Sequence, residues 1–126
     1  MEKLTPNEEE AMQVIWNLGN GNIKDFLSNL PEPKPPYTTL ASTVKNLEKK
    51  NFIIAKKIGN TYLYAPKIKE EEYKKKFMGE FVSDYFSNSY KELVSFFASQ
   101  EKISTDELKE IIEMIEKGRK PWFLTL

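Results

Sequence analysis

The chain has 126 residues, an apolar fraction of 40%, and 19 basic against 19 acidic side chains, so it carries no net charge. That length suits one domain, or a small domain with an appendage, and the balanced charge gives no overall pull toward nucleic acid or an anionic membrane. Cys and His are both absent, which removes thiolate nucleophiles, imidazole bases, disulfides and nearly all zinc sites and leaves only carboxylate metal sites in principle; neither a metal nor a cofactor is expected.

The opening MEKLTPNEEE lacks the apolar stretch of a signal peptide. No apolar run approaches the ~18 residues of a membrane span, and a cytoplasmic protein without membrane insertion is expected. LTPNEEEAMQVIWNLGNG predicts a first helix: Thr5 caps, Pro6 takes the first helical position, and Glu8 completes a T-x-x-E box. Ala11, Met12, Ile15 and Leu18 then recur at helical spacing until Gly19-Asn20-Gly21. NIKDFLSNL predicts a short second helix capped by Asn22, with Ile23, Phe26, Leu27 and Leu30 on one face. PEPKPP, with four prolines in six residues, predicts an extended linker.

The spacing predicts a third helix from about Thr38 to Lys50, with Asn51 as its C-cap. On a wheel of ~100° per residue, Val44 and Leu47 fall within about 40° of Leu40 and form a buried stripe. Thr38, Ser42, Lys45 and Lys49 lie opposite, with Thr39 and Asn46 on the flank. FIIAKKI-GN-TYLYAP predicts a hairpin turning at Gly59-Asn60 and stopped by Pro66. A long helix is expected from Lys69 to about Asn88. YKELVSFFASQ follows as another, and STDELKEIIEMIEKG as a last, with a Ser104/Glu107 capping box, Leu108, Ile111, Ile112 and Ile115 on one face, and Gly118 as stop. The chain divides into 1–67 and a helical region 68–126.

Three helices followed by a hairpin is the order of a winged helix-turn-helix, a mainly α fold with a small β hairpin. The third helix of that design lies in the major groove, where base edges present a full donor and acceptor code. Charge supports the reading. Residues 37–66 hold five Lys and one acid, net +4, while residues 1–36 are net −3 and residues 67–126 net −1. The outer face is rich in short hydroxyls and amides rather than Glu. Thr38, Thr39, Ser42, Lys45, Asn46 and Lys49 are the candidate groove contacts, with Lys56, Lys57 and Asn60 of the wing set to meet backbone phosphate. The plainer reading is a merely solvated helix face.

LTPNEEEAMQVIW, YTTLASTVKNLEKKNFI and GNTYLYAPKIKEEEY, in that order and spacing, resemble the BlaI/MecI penicillinase repressor family, related to the CopY copper repressors. The resemblance covers residues 4 to 117. It implies a homodimeric transcriptional repressor on a double-stranded dyad operator with TACA/TGTA-like half-sites. It places the family's recognition contacts on Thr38, Thr39 and Ser42. Some members have Arg at the position of Ala41, whereas the one Arg of this chain is Arg119. Bidentate Arg-to-guanine readout by this unit is therefore absent, and Lys45, Asn46 and Lys49, or hydroxyl, methyl and shape readout, carry more of the load.

Residues 73–97 hold eight of the sixteen aromatics. At about 25 cal/mol per Å² these represent tens of kcal/mol of gross burial, and the expected sink is the same region of a second chain. The candidate dimer residues are Tyr73, Phe77, Phe81, Tyr85, Phe86, Val94, Phe97, Leu108, Ile111, Ile112 and Ile115; a monomer core packed on the first helix is the alternative. The resemblance implies release by a regulatory protease that cuts an Asn-Phe bond. The matching place is Phe96-Phe97, with Phe96 where the family has Asn. CopY-type metal sensing through C-terminal cysteines is excluded. The closing KPWFLTL either folds over the dimer core or docks a partner.

Catalysis is not expected, because the acids fall in runs such as Glu8–Glu10 and Glu70–Glu72, typical of helix first turns and solvated faces. Two alternatives stand beside the repressor: a ligand-sensing winged-helix regulator with a pocket among the tail aromatics, and a winged helix used for protein contact.

Overall fold

The computed structural model describes residues 1–119; the closing apolar segment with Trp122, Phe123, Leu124 and Leu126 lies outside the described residues. The described elements run α1 (Pro6–Leu18), α2 (Ile23–Asn29), α3 (Tyr37–Lys49), β1 (Ile53–Ile58), β2 (Thr61–Pro66), α4 (Glu70–Phe86), α5 (Tyr90–Ser99) and α6 (Thr105–Arg119). Contacts divide the chain into two compact units, Met1–Phe77 and the part from Met78 onward.

Local chemistry sets the helix starts. The Thr5 Oγ1 accepts from the Glu8 N–H at 3.3 Å, and the Glu8 carboxylate accepts from the Thr5 N–H at 2.9 Å. Asn22 and Asp25 build the same reciprocal box at α2. Lys34 closes the other end of α2 by donating to the carbonyls of Leu27, Ser28 and Leu30. Gly19 ends α1 at φ 82°, where a side chain would be strained.

α3 begins one residue earlier than the sequence predicts, because Pro36 already holds the N-cap conformation at φ −59°, ψ 149°. Its C-cap is Lys50 rather than Asn51. Asn51 stands one place beyond at φ 64°, and Asn51 N–H to Glu48 O together with Phe52 N–H to Leu47 O complete a Schellman closure. Leu47 and Phe52, the two ends of that closure, are both fully buried.

β1 and β2 pair antiparallel from Ile53 opposite Pro66 to Ile58 opposite Thr61. Gly59 takes φ 62°, the glycine-first signature of a two-residue hairpin turn. Gly21 bridges to Tyr64 through both of its backbone groups, so the α1–α2 loop lies along the outer edge of β2. α1 packs on α2, α3 and β2, and α2 packs on α3. Met12, Ile15, Phe26, Val44, Leu47 and Phe52 are fully enclosed among them. This is a winged helix, mainly α with one hairpin.

The first unit also contains the start of α4. The Tyr73 hydroxyl accepts from the buried Leu4 N–H at 3.2 Å and donates to Glu9 Oε2 at 2.8 Å. Its ring lies among Trp16, Phe52 and Phe77, at 5.8, 5.7 and 4.6 Å. Burial, followed by the Glu9 carboxylate it serves, pushes its hydroxyl up to about 12, against the opposing Leu4 hydrogen bond. The Trp16 indole N–H donates to Ile68 O at 2.8 Å.

In the second unit Val82 alone among the described residues is fully enclosed, and α5 buries no residue. Phe81, Tyr85, Phe86, Phe96 and Phe97 form a chain of ring contacts 4.9 to 6.0 Å apart. α4 ends at Phe86, before Ser87 and Asn88, which both take positive φ. α6 runs through Gly118, its expected stop, to Arg119; a glycine weakens a helix without ending it unless the backbone must turn.

Candidate nucleic-acid interface

α3 carries the candidate surface. Leu40, Val44 and Leu47 are buried, and the opposite stripe of Thr38, Ser42, Lys45 and Lys49 is exposed, as are Thr39 and Asn46. The Thr43 hydroxyl bonds back to Thr39 O at 3.1 Å and is occupied. The hydroxyls of Thr38, Thr39 and Ser42 have no hydrogen-bond partner among the described residues, and no side chain caps the start of α3. The Thr39 N–H donates to Pro36 O at 3.1 Å, whereas the Tyr37 and Thr38 N–H groups have no partner among the described residues, an arrangement that favours an anion.

Two adjacent lysines on a strand point to opposite faces. Lys57 stands opposite Tyr62, with its Nζ 6.0 Å from the ring centroid. Lys56 stands opposite Leu63, on the face that also carries the exposed Ile54 and Ile58. Between the wing and the starts of α2 and α3 lies a groove of about 280 Å³. Asn60 and Tyr62 line one side, Lys24 and Tyr37 the other. No sequence periodicity singles out Lys24, Tyr37 and Tyr62 as groove residues, because none links a first-turn α2 residue to a wing strand. Burial and then the charge of Glu48 push the Tyr64 hydroxyl up, so it stays neutral.

The local charge of +4 overstates what faces solvent. Lys50 Nζ lies 2.7 Å from Glu8 Oε1 and 3.9 Å from Glu2, so it is spent inside the protomer. Lys45, Lys49, Lys56 and Lys57 remain exposed.

The candidate dimer residues fall into two groups. Tyr73 is 6% exposed and, with the half-buried Phe77, packs against the first unit's own core. Phe81, Tyr85, Val94, Phe97, Ile111, Ile112 and Ile115 are exposed, Tyr85 at 73%, while Phe86 and Leu108 are half-buried. Met78, Tyr90 and Met114 are exposed as well; Met and an isolated helix-start Tyr give a weak apolar signal in sequence. Phe96 and Phe97 lie within α5, exposed but helical. No helix among the described residues is long and apolar enough to cross a membrane.

Comparison with known proteins gives one consistent result. The family model described as penicillinase repressor matches residues 4–117. The methicillin resistance regulatory protein MecI of Staphylococcus aureus (strain N315) is 24% identical over 116 residues, 91% of this chain and 94% of that protein. The penicillinase repressor of Staphylococcus aureus is 26% identical over 109 residues, 86% of each chain. The penicillinase repressor of Bacillus licheniformis is 25% identical over 121 residues, 94% of each chain.

Proposed function

The chain belongs to the penicillinase repressor family, and from that premise we propose that it is a sequence-specific DNA-binding repressor acting as a homodimer on a dyad operator. The observation that carries this reading is the free polar face of α3, with Thr38, Ser42, Lys45 and Lys49 set opposite the buried Leu40, Val44 and Leu47. Such a helix can enter a major groove with its side chains uncommitted. Thr38, Thr39, Ser42 and Asn46 read base edges by hydroxyl, amide and methyl contact. Lys45, Lys49, Lys57 and Asn60 hold phosphates, with Lys24 at the groove below the wing. The role is binding rather than catalysis, in the cytoplasm where the DNA is.

The exposed apolar side chains of α4, α5 and α6 favour a second copy as partner, because large exposed apolar side chains in number commonly mark an interaction surface. A two-fold pair would set two α3 helices about one DNA turn apart, or a multiple of it. Relief follows from a regulatory protease cutting at Phe96-Phe97. Since that bond is helical, cutting needs local opening of α5.

The test is fluorescence anisotropy of the full chain on a duplex selected from a random pool, at two salt concentrations. Affinity should fall steeply as salt rises, because phosphate contacts release counterions. A salt-independent response, or no binding, would overturn the DNA reading.

A further inference from the structure

Glu8 is 4% exposed and is the one buried charged residue among the described residues. Its carboxylate does two jobs at once. It accepts from the Thr5 N–H at 2.9 Å, closing the start of α1, and from Lys50 Nζ at 2.7 Å. Lys50 is the C-cap of α3, so one buried carboxylate joins the first turn of α1 to the last turn of the helix offered to DNA. Burial would raise the carboxyl's pKa, but the hydrogen bonds from Lys50 and Thr5 outweigh it and hold it below its ordinary value. The Glu8 carboxyl is therefore ionised at neutral pH.

Apart from a longer Lys50–Glu2 contact at 3.9 Å and the backbone bonds that Lys67 and Ile68 make to Phe52 just beyond it, α3 is held by apolar packing. Leu40, Val44 and Leu47 fix which way the helix faces, but apolar contact is non-directional, and ridges can seat in neighbouring grooves. A 2.7 Å charge-assisted bond has one length and one direction. Buried ion pairs add little net stability against apolar replacements, and their best-attested use is to set register.

We propose that the Glu8–Lys50 pair positions the recognition helix: it sets the height of α3 against α1, and so which α3 side chains meet which base pairs, without touching DNA itself. The proposal rests on the DNA-binding reading for its consequence, but its cause is a property of the free protein.

The experiment compares the full chain with the double variant Glu8→Gln/Lys50→Met and the single variant Lys50→Arg. Gln keeps the α1 capping acceptor, and Met keeps the apolar stem of Lys50. The double variant should melt within a few degrees of the parent. Its preference for the selected operator over random duplex should fall roughly tenfold, the size of one lost base contact. Its salt slope should stay unchanged, and amides near the end of α3, from Asn46 to Asn51, should exchange at least about tenfold faster. Lys50→Arg, which keeps a donor for the carboxylate, should restore both readouts. Unchanged exchange and unchanged preference in the folded double variant would overturn the proposal. A salt slope lower by about one would also overturn it, since Lys50 would then be a phosphate contact. Exchange is read without DNA, so it decides the positioning claim separately from whether the chain binds an operator at all.

Discussion

Ser42 sits at the centre of the exposed stripe of α3, and its hydroxyl has no hydrogen-bond partner among the described residues. Ser42→Ala should therefore leave stability untouched and reduce discrimination between selected and random DNA, by about 1 kcal/mol for one lost base contact; an equal loss on every sequence in anisotropy would make Ser42 a backbone contact instead. Lys57 faces the groove side with Tyr62, and Lys56 faces away among Ile54 and Leu63. Lys57→Ala should weaken all duplexes alike and lower the salt slope by about one, with a smaller effect for Lys56→Ala. Tyr73 makes a third case. Tyr73→Phe orphans the buried Leu4 N–H and should cost about 1–2 kcal/mol in urea denaturation. Because folding raises the Tyr73 hydroxyl from 10.0 to about 12, its contribution is complete below pH 10 and disappears as pH climbs through that interval. The phenylalanine variant should lack that part of the alkaline loss.

At the scale of elements, the helix boundaries follow from groups within a few residues of each other. Thr5 with Glu8, Asn22 with Asp25 and Ser104 with Glu107 each satisfy backbone donors that the helix itself cannot. These boxes are legible as residue pairs three apart. The C-terminal stops are less so. Asn51 and Gly118 are both plausible terminators by residue type; Asn51 does end α3, but as the positive-φ residue one place beyond the Lys50 C-cap, whereas α6 continues through the glycine. The wing depends on one backbone conformation. Nothing lies within 4 Å of where a Cβ at Gly59 would sit, so Gly59→Ala costs only the strain of φ 62°, about 1 kcal/mol. Urea denaturation should show that loss, with Gly59→Asn losing less, and anisotropy should show weaker binding on every sequence as the wing loosens.

On the scale of the whole molecule, the second unit leaves its aromatics and isoleucines open, with Tyr85 at 73% and Ile112 at 53% exposure. A charge on that surface should oppose association at little cost to the protomer, since the positions are already solvated in one chain. Ile112→Glu and Tyr85→Glu should each halve the mass in light scattering and weaken operator binding by more than any single wing substitution, because the two half-sites would bind independently. An unchanged mass in both would exclude this surface as the dimer contact. Tyr73 and Phe77 show how far sequence alone could reach. Both continue the i+4 aromatic row of α4 into Phe81 and Tyr85, yet Tyr73 is spent on Leu4, Glu9 and Trp16 of its own unit. One periodic stripe serves two different surfaces.

Sequence by itself determined the order of three helices and a hairpin, the Thr5/Glu8 and Ser104/Glu107 boxes and the Asn22 cap, the turn glycine and the apolar stripe of α3, because each depends on residues within one or two turns of each other. Only the tertiary structure decided what became of the charges and aromatics. Lys50 is claimed by Glu8 across 42 positions, and Tyr73 by Glu9 and Leu4 across 64 and 69. Pairings at that separation depend on how the helices come together, and nothing in local spacing encodes them.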